Sequence, residues 1–487
     1  GVELPLRSVF ETPTVAQLVN ECRNLNAQRP RLVAMQRPEL LPLSFAQQRL
    51  WFLAQLEGDA STYIVPTALR LQGVVDSQAL QSALADLAMR HETLRTCFQV
   101  RHGEPWQVIA SQAHVDFVQL DTDAAALEGL LAAELERPFA LDLSPPWRVR
   151  LYRLGAEDHV LLLVLHHIVT DGASQGPLLN DLVQAYRARS TGRSPDWTAL
   201  PVQYADYSLW QRGWLGELED EQSALAHQLG YWRQALHELP TQISLPTDRP
   251  RPAVANTEGG VVRFQVPAAL HQRLQALAQS RRATLFMVLQ AGFAGLLSRL
   301  GAGTDIPIGS PVAGRIEESL EPLVGFFVNT LVLRTDTSGN PDFLSLIDRV
   351  RATDLEAYSN QDLPFERLVE ALNPVRSLAH HALFQVTLTL EASQSADLEQ
   401  LALPGLVVSP LEASGTRVKF DLSLSFTEQA GQQGMQGALE YRQDLFDSAT
   451  VETLAQRLLI LLEAASQSPE TSLGELDILR PDERRQV

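Results

Sequence analysis

Six aliphatic residues in a row, VLLLVL at 160–165, constrain this chain more than any other feature. Read as a strand, the run is apolar on both faces, because successive side chains point to opposite sides of a sheet. A strand of that kind is buried on both sides, which requires other layers above and below it. The run is far short of the ~20 residues that a membrane span needs.

The neighbouring segments supply those layers. Asp76-Ser77 opens an amphipathic helix with Leu80, Leu84 and Leu87 on one face. Residues 105–110, 115–120 and 148–154 read as strands, and Leu178, Leu179, Leu182, Val183 and Tyr186 form a second helical stripe. The stretch 189–195, rich in Arg, Ser, Gly and Pro, marks a boundary between two lobes. Beyond it the same grammar returns. Residues 270–277, 284–300 and 454–465 are expected as helices, and 332–334, 384–390, 418–426 and 437–441 as strands. Strands and helices mixed in both halves imply α/β layers. Before the main body, Thr12-Pro13-Thr14 opens a short helix with Val15, Leu18, Val19 and Cys22 as its stripe, followed by a polar strap.

Composition removes several function classes. The 487 residues carry 39 Lys+Arg against 58 Asp+Glu, a formal net charge of −19. A chain this acidic repels nucleic acid and anionic membrane surfaces, and no basic stretch interleaves with aromatics. The two cysteines, Cys22 and Cys97, form no metal-ligand spacing, so a structural zinc site and a disulfide framework are not expected. With no basic-then-apolar leader in the sequence given, a reducing, cytoplasmic setting is expected.

The sharpest chemical signal follows the aliphatic run directly: His166-His167, a three-residue spacer, then Asp171-Gly172. Neighbouring strand residues diverge, so one imidazole faces the core and the other a cavity. The ring facing the cavity can exchange a proton near neutral pH. Asp171 can lock the loop by pairing with a cation, and Gly172 permits close backbone approach or positive φ. Two readings compete. Divergent histidines do not converge on one metal ion. Gly172-Ala173-Ser174-Gln175-Gly176 matches G-x-S-x-G, but Ser174 stands too far beyond the strand end for a nucleophile elbow.

An ordered series of segments resembles the condensation domain of nonribosomal peptide synthetases. The series runs SFAQQRLWFL at 44–53, RHETLRTCF at 90–98, HHIVTDG at 166–172, YADYSLW at 204–210, VGFFVNT at 324–330, NQDLPFE at 360–366 and, more loosely, 376–386 with Leu383-Phe384-Gln385. Together they cover about residues 41–463. The resemblance implies two chloramphenicol-acetyltransferase-like α/β lobes, 41–197 and 198–470, in a V-shaped pseudo-dimer with a central channel. It also implies a carrier-domain remnant over 1–26, a linker over 27–40, and a linker towards an adenylation domain over 471–487. The activity it implies is amide-bond formation between a donor thioester and an acceptor α-amine. Both reactants ride on 4'-phosphopantetheine arms of partner carrier domains, upstream and downstream, with no metal; the excised domain is expected as a monomer.

Residue by residue, the resemblance makes His167 the catalytic group, as base, amine holder or oxyanion stabiliser. It makes His166, Asp171, Gly172 and Arg95 structural, with Arg95 paired to Asp171. Asn329 either lines the channel or caps backbone at a strand end. Tyr204, Trp210 and Phe365 are read as packing residues, and His91, His380 and His381 as non-catalytic. Ala173 stands where many relatives carry Trp. The His-His pair, rather than aspartates, argues against a heterocyclising subtype, and the flanks favour an L-residue donor.

Overall fold

The computed structural model describes residues 8, 14–24, 29–57, 63–375, 377–391, 403–411, 417–429, 433–480 and 483–485. Most of segment 1–26 and Arg376, at the head of the seventh stretch, lie outside the described residues. So do the linker residues 27–28.

Fourteen strands form three sheets among the described residues. In chain order they are β1 (Leu41–Pro42), β2 (Ile64–Gln72), β3 (Thr96–Arg101), β4 (Glu104–Ile109), β5 (Asp116–Asp121), β6 (Trp147–Arg153) and β7 (Asp158–His166). There follow β8 (Gly259–Val266), β9 (Asp305–Val312), β10 (Asn329–Asp336), β11 (Val386–Glu391), β12 (Val407–Leu411), β13 (Leu422–Glu428) and β14 (Met435–Arg442). The first half holds a five-stranded sheet in the order β12-β2-β7-β6-β5, the second a six-stranded sheet, β10-β9-β11-β13-β14-β8. A small third sheet, β1-β4-β3, completes the set.

The aliphatic run is the middle of β7, and it is covered on both faces as its composition requires. Leu161, Leu163 and Leu165 pack with Leu80, Leu84 and Leu87 of helix Ser77–Arg90 and with Leu178, Leu179 and Leu182 of helix Gln175–Arg189. Val160, Leu162 and Val164 face Leu131 of helix Ala124–Glu136 on the opposite side. Each of these fully buried side chains contributes about 2 kcal/mol by leaving water. Asp76 caps its helix as its position suggests, its carboxylate accepting the N–H groups of Gln78 and Ala79 at 3.1 and 2.9 Å.

The second sheet is layered in the same way, under helices Ala268–Ser280, Leu285–Leu297, Phe343–Ser359 and Ser448–Gln467. Residues 285–302 are apolar enough to cross a membrane by length and composition, but Met287 to Leu297 are buried in this core.

Several sequence expectations need correction. The expected strand at 418–426 starts only at Leu422, because residues 417–421 bend to anchor Asp421 between two arginines. The expected helix at 284–300 ends at Leu297, and Gly301 with φ 94° breaks the turn that follows. Helix Val15–Asn24 forms, yet Val15 and Val19 of its stripe are exposed. Strands β2, β8 and β9 and helix Ala124–Glu136 were not anticipated at all. Nor was the crossing of β12, which comes from residues 407–411 yet pairs with β2 and so ties the far half of the chain to the first sheet.

Candidate active site

β7 ends at His166, and the ring keeps the strand's alternation. It lies on the face of Val160, Leu162 and Val164, edge-on to Phe139 with centroids 6.2 Å apart and 6.3 Å from Tyr63. Its Nδ1 accepts the backbone N–H of Ile168 at 3.1 Å, so the ring proton sits on Nε2. Burial pushes its pKa down to about 3, with the charges of His167 and Lys419 acting the same way.

His167 begins the short turn His167–Val169, and its environment reverses that pattern. Its Nδ1 lies 3.1 Å from the carbonyl oxygen of Thr170. A carbonyl only accepts, so Nδ1 carries the hydrogen and Nε2 presents a lone pair. The residue is half-buried, with the Phe326 ring 5.6 Å away. Burial above all, with the charge of Lys419 acting the same way, brings its pKa down to about 4, against the Thr170 carbonyl and Asp171, which favour the charged form. At neutral pH both rings are therefore uncharged, and they are opposite tautomers.

Asp171 is fully buried and fixes the loop, but its cation is Arg315, not Arg95. Its Oδ1 accepts from Arg315 Nη2 at 3.0 Å and from Ser174 N at 2.9 Å, while its Oδ2 accepts the Phe327 N–H at 3.0 Å. Arg95 instead donates to the Ala110 carbonyl and lies 3.7 Å from Glu92. The reason is local: Arg95 closes a short turn, Glu92–Arg95, that directs its guanidinium along its own hairpin. Arg315 reaches Asp171 because Gly314, at φ 67°, turns the chain where any Cβ would stand 2.0 Å from the Phe327 oxygen. Its guanidinium then lies over the Phe327 ring, 4.2 Å from the centroid, and donates to the Leu323 carbonyl at 2.9 Å.

Ser174 has no nucleophile's setting. It is fully buried, and its hydroxyl, with a single hydrogen to give, lies within donating reach of two acceptors, Asp171 Oδ1 at 2.7 Å and the Gly325 carbonyl oxygen at 2.9 Å. It also accepts from Gly325 N at 3.1 Å and from Arg315 Nη2 at 2.8 Å. With Asp171 it makes a capping box, and it fastens the first half to residues 324–327 of the second. Those residues are held from two further directions. Thr93 donates to the Val324 carbonyl at 2.8 Å, and the Tyr204 hydroxyl donates to the Phe326 carbonyl. Gly325 is required here, since a Cβ would stand 2.2 Å from the Tyr204 ring.

Gly172 departs from expectation. Its φ lies outside the left-handed region, and a Cβ there would meet open space. With Ala173, Gln175 and Gly176 it borders a cleft of about 560 Å³, closed opposite by Glu321 and Pro322. The freedom it supplies is therefore room rather than strain. Asn329 takes the backbone-capping alternative. Its amide donates to the Gln361 and Leu363 carbonyls at 2.7 and 2.8 Å and accepts the Phe365 N–H at 3.0 Å, which fastens the 361–365 turn beside a small cavity of about 40 Å³. Tyr204, Trp210 and Phe365 are buried packing residues. His91 is buried and bonded to Asp181 at 2.8 Å.

The sequence pointed to His166, His167 and Asp171 but missed Arg315, Phe326 and Lys419. Phe326 lay inside a quoted segment with no role attached. Nothing in the pattern around Arg315 separates it from the other arginines. For Ser174 a signal existed: a hydroxyl three residues after Asp171, at capping-box spacing.

Two mixed α/β sheets, a neutral imidazole at a strand end and a buried aspartate clamped across the halves make up the architecture that the solved structures below share in its fold. The condensation-domain family model matches residues 38–487, and the chain belongs to that family. It is 48% identical to the dimodular nonribosomal peptide synthase of Bacillus subtilis (strain 168) over 489 residues, 99% of this chain and 20% of that protein. The chain thus spans a fifth or less of the first curated relatives it matches. A solved complex of the X-domain and OxyB from teicoplanin biosynthesis has a TM-score of 0.86 and 35% identity, over 93% of this chain and 99% of that one. A four-domain holo nonribosomal peptide synthetase bound to AMP and glycine has a TM-score of 0.80 and 26% identity, over 93% of this chain and 35% of that one.

Proposed function

We propose that this chain joins a donor acyl thioester to the α-amine of an acceptor aminoacyl thioester, each delivered on the phosphopantetheine arm of a separate carrier domain. The observation that carries the reading is the bare Nε2 of a neutral, half-buried His167. A ring whose conjugate acid has a pKa near 4 is a poor base towards an ammonium group. It is well suited to accept an N–H from an already neutral amine. His167 would orient the amine lone pair at the thioester carbonyl and take the proton as the C–N bond forms; the carrier thiol then leaves. Among the roles open from sequence, the uncharged ring favours amine holder and late proton acceptor over oxyanion stabilisation by a standing imidazolium. Holding two tethered reactants in line supplies much of the rate.

The cleft beside Gly172 and Ala173 opens next to the His167 loop, and we assign it to one of the entering arms. Alanine in place of the bulky residue many relatives carry leaves it wide. The division into lobes at 197/198, the flanking carrier and adenylation neighbours, an L-configured donor, a cytoplasmic setting and a monomeric excised domain belong to the same reading. Loading defined aminoacyl groups on donor and acceptor carriers, adding the protein and reading intact masses tests it. A dipeptidyl acceptor carrier is expected; unchanged masses from a folded protein would contradict it.

One observation favours a second reading. The X-domain structure is a complex with another protein, OxyB, so a body of this shape can serve as a docking module. That reading is supported if His167→Ala leaves peptide output of the assembled synthetase unchanged.

A further inference from the structure

Segment 44–53, the first of the seven that resemble the family, leads into the helix Phe45–Glu57, which packs against the His167–Val169 turn. Leu43 and Leu50 share one apolar cluster with Ile168 and Val169. Two polar side chains, Ser44 and Gln47, are fully buried in the same place. A buried primary amide is costly unless its groups are paired, so the partners of Gln47 carry information.

Ser44 and Gln47 form a capping box. The Gln47 N–H donates to Ser44 Oγ at 3.1 Å, and the Ser44 N–H donates to Gln47 Oε1 at 3.2 Å. With the amide oxygen so engaged, the amide nitrogen faces the other way, where it donates to the Ile168 carbonyl at 3.1 Å. Ile168 directly follows His167, and its own N–H is held by His166 Nδ1. Both backbone polar groups of Ile168 are thus fixed, one from the strand end and one from the helix. The same box reaches the opposite wall. The Ser44 hydroxyl lies 2.8 Å from the Tyr204 hydroxyl, whose hydrogen goes to the Phe326 carbonyl. The Phe326 ring is the one 5.6 Å from His167. One helix start therefore grips the backbone on both sides of the imidazole.

We propose that Gln47 is a positioning residue for amide formation: its side-chain amide, aimed by the capping box, holds the Ile168 carbonyl and so fixes the turn from which His167 presents Nε2. The proposal rests on the amide-forming reading of His167. The His167 hydrogen stays on Nδ1 because the Thr170 carbonyl is held 3.1 Å away. That distance depends on the backbone between the two residues, and Gln47 ties this backbone to a helix. Without its donor, the buried Ile168 carbonyl must turn to find another partner. The turn then relaxes, Nδ1 loses its fixed acceptor and Nε2 loses its direction. A misplacement of about 1 Å at a reacting group costs up to ~10²-fold in rate. Glutamine suits the place because its amide both accepts from Ser44 and donates to Ile168.

The test uses Gln47→Met, of similar length but with no donor, in the full chain labelled with nitrogen-15 histidine, with His167→Gln assigning the resonances. In Gln47→Met at pH 7 the two ring nitrogens of His167 are expected to move from a single Nδ1–H form towards mixed tautomers. The saturating single-turnover rate of dipeptide formation is expected to fall at least ~10-fold, with the half-saturating acceptor-carrier concentration within about 2-fold of wild type. Ser44→Ala is the contrast. It weakens the cap, but the backbone N–H at that position still orients the Gln47 amide, so His167 is expected to keep its wild-type tautomer. Gln47→Asn, one methylene too short to reach Ile168, is expected to act in the same direction as Gln47→Met and replaces it if that variant does not fold. A folded Gln47 variant with the wild-type tautomer or the wild-type rate overturns the proposal. So does a Ser44→Ala protein whose tautomer shifts as far as that of the Gln47 variant. The spectra need neither carrier nor product, so they can succeed where the amide-forming reading fails, and that reading is tested separately by His167→Ala.

Discussion

His166 and His167 are neighbours in sequence, both shielded from water and both uncharged at neutral pH, yet they present opposite nitrogens. His166 still obeys the strand and spends Nδ1 on a backbone N–H two residues on. His167 has left the strand and meets a backbone carbonyl instead, and among the described residues its Nε2 has no hydrogen-bond partner. His381, in the second half, lies among Phe365, Phe384 and Phe420, and like His166 its Nδ1 faces an N–H, that of Leu383. The comparison shows that depressed basicity is shared by all three rings and that the carbonyl of Thr170 sets His167 apart.

The largest effect should come from exchanging the two neighbours in turn. His167→Ala is expected to cut single-turnover dipeptide formation by ~10²–10⁴-fold with little change in melting temperature. His166→Ala should mainly lower stability, by about 1–3 kcal/mol in urea unfolding, with a much smaller loss of rate. If the two variants lose rate equally, the contrast is broken.

The clamp across the halves comes next. Arg315→Ala leaves the Asp171 carboxylate buried without its cation and should cost about 3–5 kcal/mol in urea unfolding. Arg95→Ala should cost less, about 1–3 kcal/mol in the same experiment, since it removes one charged hydrogen bond, to the Ala110 carbonyl, and a long ion pair. Removing the Ser174 hydroxyl with Ser174→Ala should cost about 1–3 kcal/mol, because buried donors and acceptors lose a partner. The variant should still make dipeptide, and wild type should resist fluorophosphonate labelling.

The pH effect is absent at neutrality and grows below it. His166 and His167 have folded pKa values of about 3 and about 4, below the unfolded value near 6.5. Between those limits the unfolded chain binds protons that the folded one does not, so stability falls as pH drops from ~6.5 towards 4. His166→Asn should flatten part of that slope in urea unfolding measured from pH 7 to 4.5.

The parts of this architecture visible in the sequence were those set by local composition. The aliphatic run announced β7 because both of its faces are apolar; alternation separated the two histidines without saying which faces a cavity, and the choice of His167 came from the family resemblance. Contacts joining residues far apart in the chain were not visible. Arg315 meets Asp171 across 144 positions, and β12 pairs with a strand more than 300 residues earlier. Arg95 was the nearer guess because it lay in a recognisable segment. Asn329 was ambiguous because a strand-end amide can serve a ligand or a turn; it holds the turn through three backbone partners and also borders the small cavity.

The account stands most directly on the tautomers of the two neighbouring rings. Long-range nitrogen-15 to proton correlation spectra of histidine-labelled protein at pH 7 read them without any substrate. The expected result is a bare Nε2 with a protonated Nδ1 for His167, and the reverse for His166. A His167 that is doubly protonated at pH 7, or that carries its single hydrogen on Nε2, would contradict the account.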